Sequence, residues 1–245
     1  MDRRPPSAAV LVLHGGHENG TEPPPPGLLN LPGVRMRPFV RALRRATRAP
    51  EDGTEVLVRQ VRYAHRGWNG ARADALRDAL AALDALGEEA GDLRVILLGH
   101  SMGARAALRA AGHPLVRGVV GLAPWCPPGD PVTQLAGRDV VLVHSNRDRM
   151  TSPQATQSLT ARARRAGART CMITVRGGDH AMIRRAPAWH RLTTTLVTGL
   201  LGTGSLPEPV TNALGLPPTA EPTEGTLDLD RLRAERGPAG LLPSS

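Results

Sequence analysis

The sequence predicts one α/β domain: a mainly parallel, six-stranded, doubly wound sheet with helices on both faces. Three observations predict it. Short apolar runs alternate with longer amphipathic stretches. The runs are continuously apolar, as strands buried on both faces of a parallel sheet must be. The chain has 245 residues, enough for one substantial core. The domain is expected over residues 1–202. Residues 203–245, rich in Pro, Gly, Thr and Glu, are expected to form a poorly ordered tail, with a short helix near 228–236.

The elements follow in order. Ala8 to Leu13 reads as a first strand that ends in His14-Gly15-Gly16. Residues 17–35 form a long loop containing Pro23 to Pro26, and residues 38–48 a first helix. Glu55 to Val61 is a second strand. Residues 71–89 are a strong helix, with Leu76, Leu80, Leu83 and Leu86 at helical spacing. Val95 to Leu98, Val116 to Leu122, Val140 to Val143 and Thr170 to Val175 are the remaining strands. Helices are expected over 103–111, 153–166 and 184–201.

Composition narrows the function classes. The formal charge is +9, carried by 31 basic residues. None of them is lysine, and Ala, Gly and Pro are abundant, so the bias reflects GC-rich coding rather than a ligand. The arginines are spread along the chain among Asp and Glu and lack the aromatic interleaving that stacks bases, so no nucleic-acid partner is expected. Cys126 and Cys171 belong to no metal-ligand or disulfide pattern and fit a reducing, cytoplasmic compartment. The apolar run near the amino terminus is too short for a signal core or a membrane span.

One pentapeptide carries chemistry. Gly99-His100-Ser101-Met102-Gly103 fits G-x-S-x-G, with an apolar strand running directly into it and a helix following directly. That context is what the pattern requires. A serine on a sharp strand-to-helix turn is pushed above the sheet edge, and glycines flank it where side chains would collide with the strand and helix. The helix N-terminus aims backbone N–H groups and positive partial charge at a developing oxyanion.

On these residues the chain resembles the α/β-hydrolase superfamily over roughly residues 8–200. The similarity is to small members that lack the first two strands of the full fold and have no helical cap. The resemblance implies a catalytic triad in the order Ser, acid, His. Ser101 is then the nucleophile. Asp148, after the fifth strand, is the acid, and His180, after the sixth, is the general base. Asp130 is the competing acid, at a position some hydrolases use, and Asp179 reads as a turn residue beside the histidine. The oxyanion hole is expected to use the N–H groups of Met102 and Gly16, with Gly15 or His17 as alternatives to Gly16. His14 is expected to stabilise that loop, and His144 reads as an ordinary loop residue.

The stretch from Ala123 to Arg138 is too short and too proline-rich for a lid, so an open acyl pocket is expected, walled by loops 17–35, 65–70 and 124–130. His17, Trp68, Trp125 and Met182 are its candidate substrate contacts. The implied activity is cofactor-free and metal-free hydrolysis of a small-molecule carboxylic ester or thioester through an acyl-enzyme. Peptide or amide hydrolysis on the same triad is the first alternative. A catalytically silent binding protein that keeps the fold is the second.

Overall fold

The computed structural model describes residues 6–48 and 55–234. Seven strands form one sheet: β1 (Ala8–Leu13), β2 (Val56–Gln60), β3 (Arg94–His100), β4 (Val116–Leu122), β5 (Asp139–Ser145), β6 (Arg169–Val175) and β7 (Thr226–Asp228). Their spatial order is β2-β1-β3-β4-β5-β6-β7, and every neighbouring pair is parallel. All strand C-termini therefore lie along one edge.

Seven α-helices are described: α1 (Leu31–Ala46), α2 (Asp74–Ala90), α3 (Met102–Ala110), α4 (Pro153–Arg165), α5 (Ala186–Leu201), α6 (Glu208–Leu214) and α7 (Leu229–Ala234). Strand alternation divides the core into two layers. Ala8, Val10 and Val12 pack with residues of α1 and α5 on one face. Ala9, Leu11 and Leu13 pack with α2 and α3 on the other. Both layers are mainly aliphatic, as a chain with five aromatic residues requires. Among the described residues, no helix is long and apolar enough to cross a membrane.

Three elements differ from the sequence expectation: α1, α6 and β7. The helix expected from residue 38 starts at Leu31, because the Asn30 side chain caps it by accepting from the Gly33 amide at 3.1 Å. Pro38 then sits inside the helix. The larger difference is the seventh strand, which comes from the expected tail. Val210, Ala213 and Leu214 of α6 and Leu229 and Leu232 of α7 join the α1/α5 core layer. Arg164 of α4 is buried, donates to the Thr170 hydroxyl at 3.2 Å and to the Glu221 carbonyl at 3.3 Å, and lies against Gly225. These contacts fasten residues 221–225 and lead the chain into β7. A three-residue strand and a seven-residue helix carry too little periodicity to be read between prolines. The last part of the expected tail, residues 235–245, lies outside the described residues.

Candidate active site

Ser101 sits between β3 and α3 with φ 54° and ψ −117°, a conformation that L-residues avoid. Two glycines make the turn possible. A Cβ on Gly99 would lie 2.4 Å from the Gly103 carbonyl oxygen and 2.5 Å from Ala104 Cα. A Cβ on Gly103 would lie 2.4 Å from the carbonyl oxygens of both Leu13 and His14. The turn is therefore wedged between its own helix and the loop after β1.

The sequence-nominated acid and base meet this serine. Ser101 Oγ lies 3.1 Å from His180 Nε2. His180 Nδ1 lies 2.8 Å from Asp148 Oδ2. The parallel sheet explains the convergence, because the three residues follow the C-terminal ends of β3, β5 and β6 along one edge. Asp130, the competing acid, is held elsewhere. Both its carboxylate oxygens accept from Arg105, at 2.6 and 2.8 Å, and its backbone carbonyl accepts from Arg162 at 2.9 Å. Asp179 closes a turn, accepting the Ile183 and Arg184 amides on Oδ1.

The Asp148 side chain is fully buried and heavily solvated by protein donors. Oδ1 accepts the Met150 and Thr151 amides at 2.8 and 3.0 Å. Oδ2 accepts from His180, from His144 Nε2 at 3.1 Å and from the Thr151 hydroxyl at 3.0 Å. Burial alone would raise this carboxyl. The bonds from His144 and His180 and from the Thr151 amide outweigh it and hold the group well below the usual carboxylate range.

Sequence reasoning passed over His144. It lies on β5 on the same side as Val140 and Leu142, wholly buried, with Nδ1 2.8 Å from the Thr156 hydroxyl. A polar residue in phase with two core positions of a strand, four residues before Asp148, was the available signal. His144→Phe removes one donor from a buried carboxylate and is expected to cost about 2 kcal/mol of stability, read as a lower midpoint in chemical denaturation.

The loop after β1 lies against Ser101. A Cβ on Gly15 would be 3.4 Å from Ser101 Cβ, and one on Gly16 would be 2.4 Å from Met102 Cε. His14 Nδ1 donates to the Gly15 carbonyl at 2.6 Å, so the N–H of that trans peptide, which belongs to Gly16, points away from His14. Tyr63 Oη–H donates to the His14 carbonyl at 3.1 Å and steadies the same loop. The His17 amide donates to the Arg66 carbonyl at 3.0 Å, so this alternative donor is already used. Among the described residues, the Gly16 and Met102 amides have no acceptor, and Met102 opens α3.

Of the expected pocket contacts, only some are exposed. Trp68 and Met182 are 2% and 3% exposed, so both are core residues rather than pocket walls. Trp68 meets Trp125 edge-on at 6.2 Å, and the Arg105 guanidinium stacks over both rings, 4.0 and 4.4 Å from their centroids. Arg105, one turn beyond Ser101 and fixed by Asp130, thus clamps two loops beside the elbow. Trp125 remains partly exposed, and His17 is exposed. His100 is buried beneath the site. Burial and the nearby His180 push its imidazole down to about 3. Its Nε2 donates to the His180 carbonyl at 2.9 Å, which fixes the His180 loop on β3. Burial pushes the thiols of Cys126 and Cys171 up to about 12, which disfavours the thiolate form of each.

The strand order and the elbow between β3 and α3 define an α/β-hydrolase-fold protein, with the first two strands of the full fold missing and no helical cap between β4 and β5. The family model "Serine aminopeptidase, S33" matches residues 60–139, a stretch that contains Ser101 but ends before Asp148 and His180. Similar solved structures include a putative α/β hydrolase from Agrobacterium tumefaciens, with TM-score 0.58, 17% identity and coverage of 85% of this chain and 92% of that one. An esterase from Pyrobaculum calidifontis gives TM-score 0.58 and 14% identity, covering 82% and 77%. A monoacylglycerol lipase from Paleococcus ferrophilus gives TM-score 0.55 and 15% identity, covering 82% and 96%. No curated protein matches the chain in sequence.

Proposed function

We propose that the protein is a serine hydrolase that cleaves carboxylic esters or thioesters of small molecules through an acyl-enzyme on Ser101. The observation that carries this reading is the continuous chain from Ser101 Oγ through His180 to Asp148, with contacts of 3.1 and 2.8 Å. As Oγ attacks the carbonyl carbon, His180 Nε2 takes the hydroxyl proton, and the carbonyl π pair moves onto oxygen. The Gly16 and Met102 amides stabilise that oxyanion. Collapse of the tetrahedral intermediate expels the alkoxide or thiolate, which receives the proton from His180. Water then repeats the sequence, giving its proton to His180 and releasing the acid and a restored Ser101. Asp148 stays ionised throughout, holding the Nδ1–H tautomer and stabilising the imidazolium. Every proton moves on a side chain, so the cycle calls for no cofactor.

The esterase and lipase names among the fold relatives are consistent with ester cleavage. The serine aminopeptidase model over residues 60–139 favours a second reading, amide hydrolysis on the same triad. Intact Ser101, Asp148 and His180 speak against a silent binding module. The two buried, unpaired thiols support a reducing, cytoplasmic setting.

A fluorophosphonate probe tests the nucleophile. Wild-type protein is expected to label and Ser101→Ala to remain unlabelled; equal labelling would refute the assignment. A panel of p-nitrophenyl esters, thioesters and aminoacyl anilides then separates the two readings by turnover.

A further inference from the structure

Among the described residues, five large apolar side chains are strongly exposed: Leu28 (70%), Leu29 (73%), Leu31 (65%), Met150 (76%) and Ile183 (71%). Their placement is not random. Each lies in a loop or first helical turn that follows the C-terminal end of a strand, β1, β5 or β6. In an all-parallel sheet those ends share one edge, the edge that carries Ser101, Asp148 and His180.

Contacts bring the three loops closer still. The Met150 amide donates to Asp148, whose other oxygen holds His180, so Met150 flanks the acid–base pair. Ile183 follows His180 by three residues, in the turn closed by Asp179. Helices α1 and α5 both begin at this edge and pack together through Phe39 and His190, whose rings meet edge-on at 4.6 Å. Leu31 opens α1 two turns before Phe39, about 12 Å along the helix toward the edge, and Ile183 lies in the turn that leads into α5. Arg35, one turn beyond Leu31, is in electrostatic range of Asp179 in the Ile183 turn.

The same loops carry exposed arginines. Arg147 and Arg149 bracket Asp148, and Arg184 follows Ile183; all three are exposed and have no ion-pair partner among the described residues. Of the acidic residues on the β1 loop, Glu22 is paired with Arg66, which leaves Glu18.

We propose that this edge is a docking surface for an anionic lipid surface, with the apolar tips entering the interface and the arginines meeting lipid headgroups. The occupant follows from charge. A second copy docked face to face would oppose Arg147, Arg149 and Arg184 with their own equivalents, whereas an anionic lipid layer is both apolar and oppositely charged. Resting on the hydrolase reading, the surface also defines the substrate class: esters presented at a lipid interface, delivered to a site that has no cap to open.

Co-sedimentation of the full chain with extruded vesicles tests the surface. Binding is expected to vesicles of phosphatidylcholine mixed with phosphatidylglycerol, about tenfold tighter than to phosphatidylcholine alone, and weakening as salt rises. Leu28→Ser/Leu29→Ser and Arg147→Gln/Arg149→Gln are each expected to weaken binding by about tenfold, with thermal midpoints checked to confirm that the variants fold. Ser101→Ala is expected to bind like wild type, so a failed hydrolase assignment leaves this result standing. No preference for the anionic vesicles, or binding unchanged in both double variants, overturns the proposal. So does a dimer in sedimentation analysis that Leu28→Ser/Leu29→Ser dissociates, because a second copy then covers the edge.

Discussion

Asp148→Asn is expected to lower kcat for ester hydrolysis by about 10⁴-fold while leaving KM within a few-fold, as neutralising the acid of a serine triad does. The geometry gives the reason. Asp148 Oδ2 accepts from His180 Nδ1 at 2.8 Å, which keeps Nε2 bare and facing Ser101 Oγ. If the Asn oxygen keeps the Met150 and Thr151 amides, its NH₂ group faces His180, which then turns Nδ1 into an acceptor and carries its proton on Nε2. In that tautomer the base cannot take the serine proton. Single-turnover kinetics check this, and a kcat within tenfold of wild type would remove Asp148 from the triad.

The same substitution has a pH signature. The folded Asp148 carboxyl is held below its unfolded value of about 3.9, so its contribution to stability is complete above that value and disappears as pH falls through the lower folded value. The difference in unfolding free energy between wild type and Asp148→Asn is therefore expected to be constant above about pH 5 and to shrink below about pH 4. Denaturant titrations across that range measure it.

Gly103→Ala is expected to be the most damaging of the small substitutions around the elbow. Its Cβ would lie 2.4 Å from two backbone oxygens, Leu13 and His14, and no side chain can rotate to make room. Either α3 or the loop after β1 must move. A loss of about 3 kcal/mol is expected, equivalent to a thermal midpoint lower by roughly 6–12 °C in a domain of this size. The displaced loop carries Gly15 and Gly16, so kcat is expected to fall by about 10²–10³ as well, the scale of a lost oxyanion donor. Gly129→Ala provides the comparison. Gly129 has φ 84° but nothing within 4 Å of a Cβ, so only the backbone conformation is strained, costing about 1 kcal/mol with no effect on turnover.

Much of the site was legible because parallel α/β architecture turns sequence position into spatial position. A strand read as a continuous apolar run predicts where its following loop will lie, and Ser101, Asp148 and His180 each directly follow such a run. Asp130 could not be dismissed that way, since it also follows a strand. Its engagement by Arg105 and Arg162 is a contact between α3, α4 and the β4–β5 loop that no local pattern encodes. His144 shows the same limit. Its residue type and position are ordinary, and its role as a second imidazole on Asp148 exists only once β5 and the acid loop are folded. Trp68 and Met182 meet the same limit: an aromatic or Met beside a site can face inward or outward, only packing chooses, and both are buried.

The sequence by itself determined the parallel layered architecture, the strand-to-helix elbow at Ser101 and the order in which Ser101, Asp148 and His180 follow their strands, because these depend on local patterning and on glycines that only one geometry requires. Tertiary structure alone decided the seventh strand, the meeting of His180 with Asp148 and the placement of Leu28, Leu29, Leu31, Met150 and Ile183 on the edge that carries Ser101. Those features are made by residues far apart in the chain, and the free energy that fixes them comes from burial and hydrogen bonds formed only when the layers close.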